Sequence, residues 1–523
     1  PGGAVINPYH SLQAATVLNA PLGHGKTAGC DFNGDGYDDL AVGVPGEDLN
    51  GSAKVDAGSV TAIYGTANGL RANGAQQLTQ ATPGVDSKAT ANEQFGFATA
   101  CGDVNGDEID DLVVGVPGEK VLGKANAGAI NLILGSESGL TASGNNFWNQ
   151  SKAAASAPAE MADRFGESLA VGDFNDDGFA DVAVGVPGEK VAGKAGAGMV
   201  TVLYGSASGL DGTATKFTEA TAGIGGTAGV GDGFGSALVA GDFDGDGNAD
   251  LMVGIPGEDT ANKDDVGATM TLYGSGSGLA AVGSKRFSQA TSGIAGARQP
   301  NEQFGFALAA ADFDDDGYED VAIGVPGDVD NGVAAGAVNV VYGSGSGLDA
   351  TDSQFFRQDA GGIQGDSLEG DKWGIALATG DFDANGSGDL AIGSSLEDLG
   401  SLVDAGAVIV IYSGAGGLAA AGNQLWSQET DGINGTAEEG DRFGRWLSSG
   451  DFAGTGVSSL VVGVPAEDVG PTPDAGTLHV IKGSGGSGLT SVADQQWGQG
   501  ATGIPNTNEA GDGFGRVGSI ANA

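Results

Sequence analysis

Six copies of one acidic loop, Asp-x-Asp/Asn-x-Asp/Asn-x-x-x-Asp, recur along this chain with their first residues 72, 70, 69, 70 and 69 positions apart, and a degenerate seventh follows 70 residues later. Such regularity is not chance; it means one supersecondary unit used repeatedly. A unit of this length exceeds a solenoid coil of one or two elements, so each must carry several strands.

The fourth copy, Asp242 to Asp250, reads Asp-Phe-Asp-Gly-Asp-Gly-Asn-Ala-Asp. Asp242, Asp244 and Asp246 offer side-chain oxygens at positions 1, 3 and 5, Asn248 a backbone carbonyl at position 7, and Asp250 a carboxylate at position 9. That is the oxygen shell a hard cation such as Ca²⁺ requires. Gly247 at position 6 permits the positive φ that turns the loop back on itself. An EF-hand closes with Glu at position 12, so closure at position 9 predicts a shorter loop set between strands. By the same positions the first loop is Asp31, Asn33, Asp35, Tyr37 and Asp39, the second Asp103, Asn105, Asp107, Ile109 and Asp111, and the third Asp173, Asn175, Asp177, Phe179 and Asp181. The fifth is Asp312, Asp314, Asp316, Tyr318 and Asp320, and the sixth Asp381, Asp383, Asn385, Ser387 and Asp389. In the seventh, Asp451 is followed by Ala453, Thr455, Val457 and Ser459, which predicts no bound ion. Four carboxylates each predict the tightest sites in loops four and five. Glu108, where Gly belongs at position 6, predicts the weakest in loop two.

Unit three reads as four strands: one opened by Phe165-Gly166 and running to Gly172, an apolar strand ended by Pro187, a third at Met199 to Tyr204, and a fourth beginning at Lys216-Phe-Thr-Glu219. Gly-rich turns and the absence of helical periodicity make the units antiparallel β. Such a unit cannot bury both faces alone, so the expectation is an all-β, seven-bladed propeller of four-stranded antiparallel blades, with the calcium loops in β-hairpins. A single domain over 1–523 is expected, with blades beginning near 22, 95, 165, 234, 304, 373 and 443 and a closing segment at 512–523.

Phe-Gly stands eight residues before the loop at Phe95-Gly96, Phe165-Gly166, Phe234-Gly235, Phe304-Gly305 and Phe443-Gly444, with Trp373-Gly374 as a variant, and Gly-x-Pro follows it, as at Gly43-Val44-Pro45 and Gly254-Ile255-Pro256. In this order and over nearly the whole chain, the three motifs resemble the FG-GAP repeat propellers of integrin α-subunit heads and their bacterial relatives. The resemblance implies a calcium-bearing extracellular recognition propeller with its metal loops on one rim and a non-catalytic metal. It implies no ligand identity, and six intact loops exceed the smaller set usual in animal integrins.

With 68 acidic against 21 basic residues the formal net charge is −47, which disfavours nucleic acid and anionic lipid as partners. Six calcium ions would leave a charge of about −35. No run of about twenty apolar residues exists, so membrane insertion is not expected. The chain opens Pro-Gly-Gly without a leader, and reads as a mature product. Cys30 and Cys101 stand at nearly equivalent places in adjacent repeats, so they form either a disulfide or two buried thiols.

Leu78, Trp148, Phe217, Phe287, Phe356, Trp426 and Trp497 recur 25 positions before the loops, each followed two places on by Gln or Glu. They read as packing between blades or as a sugar platform. Trp446 replaces the small residue of the innermost strand, filling space or touching a ligand. His10, His24 and His479 form no catalytic pattern and no Ser sits in a nucleophile elbow, so no enzyme activity is expected. Both termini encode the same last-to-first-strand segment, near Ile6 and Trp497, and the C-terminal copy, with Phe514-Gly515, is expected to close the ring. The functional expectation is a secreted or surface-displayed, monomeric adhesion or recognition module for a protein or glycan. The alternatives are a structural scaffold and, less in keeping with the residues, a polysaccharide hydrolase or lyase. The rim loops Gly46 to Asp56 and Asp328 to Ala335 read as acidic, suited to a cationic or calcium-bridged partner.

Overall fold

The computed structural model describes residues 29–49, 53–153, 157–260, 262–515 and 517–519. Ile6, His10, His24, the first blade's start near 22 and residues 520–523 lie outside them. The described residues are all-β, and their seven four-stranded antiparallel sheets are arranged as a ring of blades. Blade 3 is typical: Leu169–Gly172, Asp181–Val186, Met199–Leu203 and Ala214–Phe217 pair in sequence order from axis to perimeter. First strands contact one another from blade to blade around the axis.

Two boundaries differ from the sequence reading. Phe165-Gly166 precedes the first strand instead of opening it, and Phe217 ends the fourth strand instead of beginning it. The reason is that Phe217, 3% exposed, anchors the strand end in the core, and the chain then turns, with the amide of Thr221 donating to the carbonyl of Thr218.

Close packing explains the motifs. Phe95, Phe165, Phe234, Phe304, Trp373, Phe443 and Phe514 are all fully buried. A Cβ on Gly185, from Gly-Val-Pro of blade 3, would lie 2.2 Å from the carbonyl oxygen of Gly235, the Phe-Gly glycine of blade 4. No side chain fits there, so the two glycines are one requirement: backbone touching backbone between blades.

Blade 1 is closed by both ends of the described chain. Val517–Ser519 pairs with Leu40–Val44, placing Ser519 opposite Ala41, while Cys30 bridges to Asp39. One inner strand is thus spliced from two distant segments. Cys30 is disulfide-bonded to Cys101 on the first strand of blade 2, with Cα atoms 5.8 Å apart. Around the seam, Gln495 Nε2 donates to the carbonyl of Leu70 and Gln499 Nε2 to Glu47. Deleting residues 512–523 is expected to lower the melting temperature by several degrees, read by calorimetry; an unchanged transition would contradict this role for the splice.

Candidate metal centres

Every acidic loop forms the turn between the first two strands of its blade, and position 9 is the first residue of the second strand at Asp111, Asp181, Asp250, Asp320 and Asp389. Position 1 organises the turn. Asp242 accepts hydrogen bonds from the amides of Asp246 (3.1 Å) and Gly247 (3.0 Å), as Asp31 does from Asp35 (3.1 Å) and Gly36 (2.7 Å). Position 9 ties the loop to its sheet, Asp250 accepting from the amides of Phe243 (3.0 Å) and Gly274 (2.7 Å).

Asp242, Asp244 and Asp246, then Asp312, Asp314 and Asp316, and again Asp381, Asp383 and Asp389, each bring three carboxylate oxygens within 4.8 Å of one another. An ion with metal–oxygen distances of about 2.3–2.6 Å can touch two oxygens up to about 5 Å apart, so these sets fit a calcium-sized cation. In loops one to three, Asn33, Asn105 and Asn175 supply an amide oxygen at position 3 instead. Burial pushes the carboxyls of Asp39, Asp111, Asp181, Asp250 and Asp320 up to about 8, and Asp389 to about 7, with other loop carboxylates adding to the rise. A divalent cation would supply the counter-charge that favours the ionised form of such groups. Loop seven keeps the turn, Asp451 accepting from the amides of Thr455 and Gly456, but has lost the remaining acids.

Backbone conformation ranks the loops. Position 6 is left-handed throughout, with φ +92° at Gly247, and Glu108 is held there at +68°. Position 4 is left-handed too, unanticipated from sequence: Gly34, Gly106 and Gly245 occupy it in loops one, two and four, but Asp176, Asp315 and Ala384 in loops three, five and six. A non-Gly residue in this region costs about 1 kcal/mol, less for Asp than for Ala. Loop four alone combines four carboxylates with Gly at both positions. In a calcium titration followed by amide shifts, Gly247 should respond at the lowest calcium and Glu108 at the highest; the reverse order would overturn this ranking.

The loops are chained round the rim. The position 8 amide of each loop donates to the position 1 carbonyl of the preceding one, from Asp110 to Asp31 (3.0 Å) through Ser458 to Asp381 (2.9 Å), and Asp38 to Asp451 (3.4 Å) completes the circuit. An ion held in one loop would therefore brace its neighbour as well.

The opposite rim carries a second repeated set that sequence reasoning missed. The Gln two residues after the large apolar residue that ends the fourth strand reaches the next blade, Gln80 to Glu119, Gln150 to Glu189, Gln289 to Asp328, Gln358 to Glu397 and Gln428 to Glu467, at 2.6–2.9 Å. The offset of 39 residues is constant and was the available signal. Burial, reinforced by Glu93, raises the Glu119 carboxyl to about 7. Between blades 3 and 4 Glu219 replaces the Gln, and Arg286 bridges it to Glu258 at 2.7 and 2.6 Å.

The other candidates resolve into packing. Leu78, Trp148, Phe217, Phe287, Phe356 and Trp426 are all buried, Trp497 is partly buried against the core at the seam, and Trp446 is 2% exposed beneath the Arg445 guanidinium. His479 is buried against Asp494 at 3.1 Å. The Asp328 loop is less free than its sequence implies, because Arg357 neutralises Asp328 and Asp330 at 3.1 and 2.9 Å.

The FG-GAP repeat family matches residues 26–63, 95–130, 165–203, 234–269 and 304–341. This is an FG-GAP repeat propeller. Its integrin-like relatives include integrin alpha pat-2 of Caenorhabditis briggsae, 34% identical over 249 residues (44% of this chain, 17% of that protein), and integrin alpha-8 of Mus musculus, 30% over 306 residues (57% and 25%). Phosphatidylinositol-glycan-specific phospholipase D of Rattus norvegicus is 33% identical over 163 residues, 31% of this chain and 18% of the enzyme. The matched part of this chain thus spans a quarter or less of the length of each of these relatives. The rhamnogalacturonan lyase PL11 of Bacillus licheniformis overlays loosely, at TM-score 0.34 and 12% identity over 92% of this chain and 76% of the lyase, too distant to carry a conclusion. Among the described residues no helix is long and apolar enough to cross a membrane.

Proposed function

We propose that this FG-GAP propeller is a calcium-braced adhesion or recognition module that works outside the cell, binds a protein or glycan partner, and performs no catalysis. Ca²⁺ is held in six loops by the position 1, 3, 5 and 9 side chains and the position 7 carbonyl, and none in loop seven. The observation that carries the reading is the separation of duties between rims: acidic loops of one pattern chained by backbone hydrogen bonds on one, and on the other hairpins whose residues differ from blade to blade, as at Asp48, Lys120, Lys190 and Asp259. Function on such folds resides in variable rim loops.

Protein and glycan arrays probed with the full chain, with calcium and with chelator, test this. A partner retained only with calcium is the expected result. Absence of any partner, or calcium-dependent cleavage of a polysaccharide, would overturn it.

A further inference from the structure

The rim opposite the calcium loops is built from the hairpins joining second and third strands and the segments that enter the next blade, and it is chemically lopsided. In blades 1, 4, 6 and 7 the hairpin is braced by an Asp that accepts a backbone amide across it: Asp48 from Asp56 (3.0 Å), Asp259 from Asp265 (2.9 Å), Asp398 from Asp404 (3.0 Å) and Asp468 from Asp474 (2.9 Å). In blades 2 and 3 that position is Lys120 and Lys190. A lysine has no acceptor to offer, so the brace is given up at those two hairpins.

The same two hairpins, Glu119-Lys-Val-Leu-Gly-Lys124 and Glu189-Lys-Val-Ala-Gly-Lys194, carry a second exposed lysine each. Among the described residues none of these four ammonium groups enters an ion pair. In a chain of 68 acidic and 21 basic residues, four exposed lysines on two adjacent hairpins concentrate positive charge in one place, although Lys124 lies within the field of Asp163. The entering segments change in step. Ala162 donates to the carbonyl of Ala125, and Gly231 to that of Ala195, which sets Met161 and Val230 beside the lysine hairpins. The matching positions are Glu369 and Glu439 against blades 5 and 6, and the smaller Ala91, Pro300 and Ala510 against blades 1, 4 and 7, so the large exposed apolar side chains among them fall only beside the lysine hairpins. Met161 is 69% exposed, Val230 64%, and Leu122 at the hairpin tip 84%. A position that abandons a structural hydrogen bond for an unpaired charge, beside large exposed apolar side chains, is the mark of a binding surface.

We infer that the hairpins of blades 2 and 3 form a docking surface for an acidic, apolar-containing segment of a protein partner, held by Lys120, Lys124, Lys190 and Lys194 and by contacts to Leu122, Met161 and Val230. This inference rests on the recognition reading and names the partner's chemistry. A linear acidic polysaccharide would leave the apolar tips uncovered. A flat anionic bilayer would lie across the whole rim and meet Glu369, Glu439, Asp398 and Asp468 as well. A narrow acidic segment meets blades 2 and 3 alone, and its attachment is salt-sensitive.

The test uses the full chain in calcium with four probes: a labelled peptide of Glu-Glu-Leu repeats, polyglutamate of equal length, polygalacturonate and phosphatidylserine vesicles. The Glu-Leu peptide is expected to bind best. Lys120→Asp with Lys190→Asp should weaken it about tenfold or more, yet leave the melting temperature equal or higher, because each Asp restores the brace of the other blades. Met161→Glu with Val230→Glu should weaken it similarly. Absence of peptide binding, binding unchanged by these variants, or tighter binding of polygalacturonate or vesicles overturns the inference. So does a dimer that the lysine variants dissociate, which would assign the surface to a second copy. An array partner that still binds Lys120→Asp/Lys190→Asp overturns this surface while leaving the recognition reading intact.

Discussion

Stripping calcium with a chelator is expected to lower the melting temperature of this propeller by about 15 °C. An ion that binds only the folded chain stabilises it by about 2.7 kcal/mol at a hundredfold excess over its dissociation constant, so six such sites supply about 16 kcal/mol. With an unfolding entropy of about 2.1 cal/mol/K per residue, that corresponds to a shift of about 15 °C. Two features make the loss global. The position 9 carboxylates open the second strands, or in blade 1 stand immediately before it, fully buried at Asp39, Asp111, Asp181, Asp320 and Asp389, and the loops are hydrogen-bonded to one another around the rim. Differential scanning calorimetry with and without chelator measures the shift. An unchanged transition would mean that loop shape, as at Asp451, needs no ion.

Replacing Arg286 with Ala should be the most destabilising single substitution on the opposite rim. Glu219, Asp232 and Glu258 each place a carboxylate oxygen within 4.8 Å of the others, and Arg286 is ion-paired to two of them. Removing one partner of a buried charge pair costs about 3–5 kcal/mol because the remaining charges lose compensation. The loss should depend on pH in a defined sense. Burial, with the Glu219 charge and hydrogen bond adding to it, already raises the Asp232 carboxyl to about 7, above its value in an unfolded chain. A carboxyl raised in this way contributes stability below its unfolded pKa and loses it as pH climbs through the folded one. Arg286→Ala should therefore be nearest wild type at pH 5 and furthest at pH 8 in denaturant titrations. Glu219→Gln, which restores the residue found at the other six interfaces, should recover most of the loss at pH 8. A pH-independent deficit that Gln leaves uncorrected would refute this reading of the cluster.

The architecture was legible because it rests on quantities a sequence displays directly: a 70-residue period, Phe-Gly and Gly-x-Pro at fixed offsets, and turn chemistry between short apolar runs. Phe165 and Gly185 carry information precise enough to imply a propeller because their neighbours are copies of themselves. What stayed hidden involves pairs whose members lie in different blades or whose meaning is conformational. Gln80 is visible as a polar residue two places after the buried Leu78, but its partner Glu119 becomes visible only when the offset of 39 residues is compared across repeats. Asp176, Asp315 and Ala384 look unremarkable until their positive φ is known. Lys120 and Lys190 read as ordinary surface charge until Asp48 and Asp398 are seen bracing the same position in other blades. The fourth strand, expected to begin at Lys216-Phe-Thr-Glu219, instead ends at Phe217, because the turn at Thr218 follows it.

Equilibrium dialysis of the full chain against calcium, with bound ion counted per chain, tests the metal-braced propeller most directly. Six ions are expected, with none lost on Asp451→Ala and one lost for each of Asp250→Ala and Asp320→Ala. Fewer than three ions per chain, or an unchanged count in those variants, would contradict the assignment of the acidic loops as calcium sites.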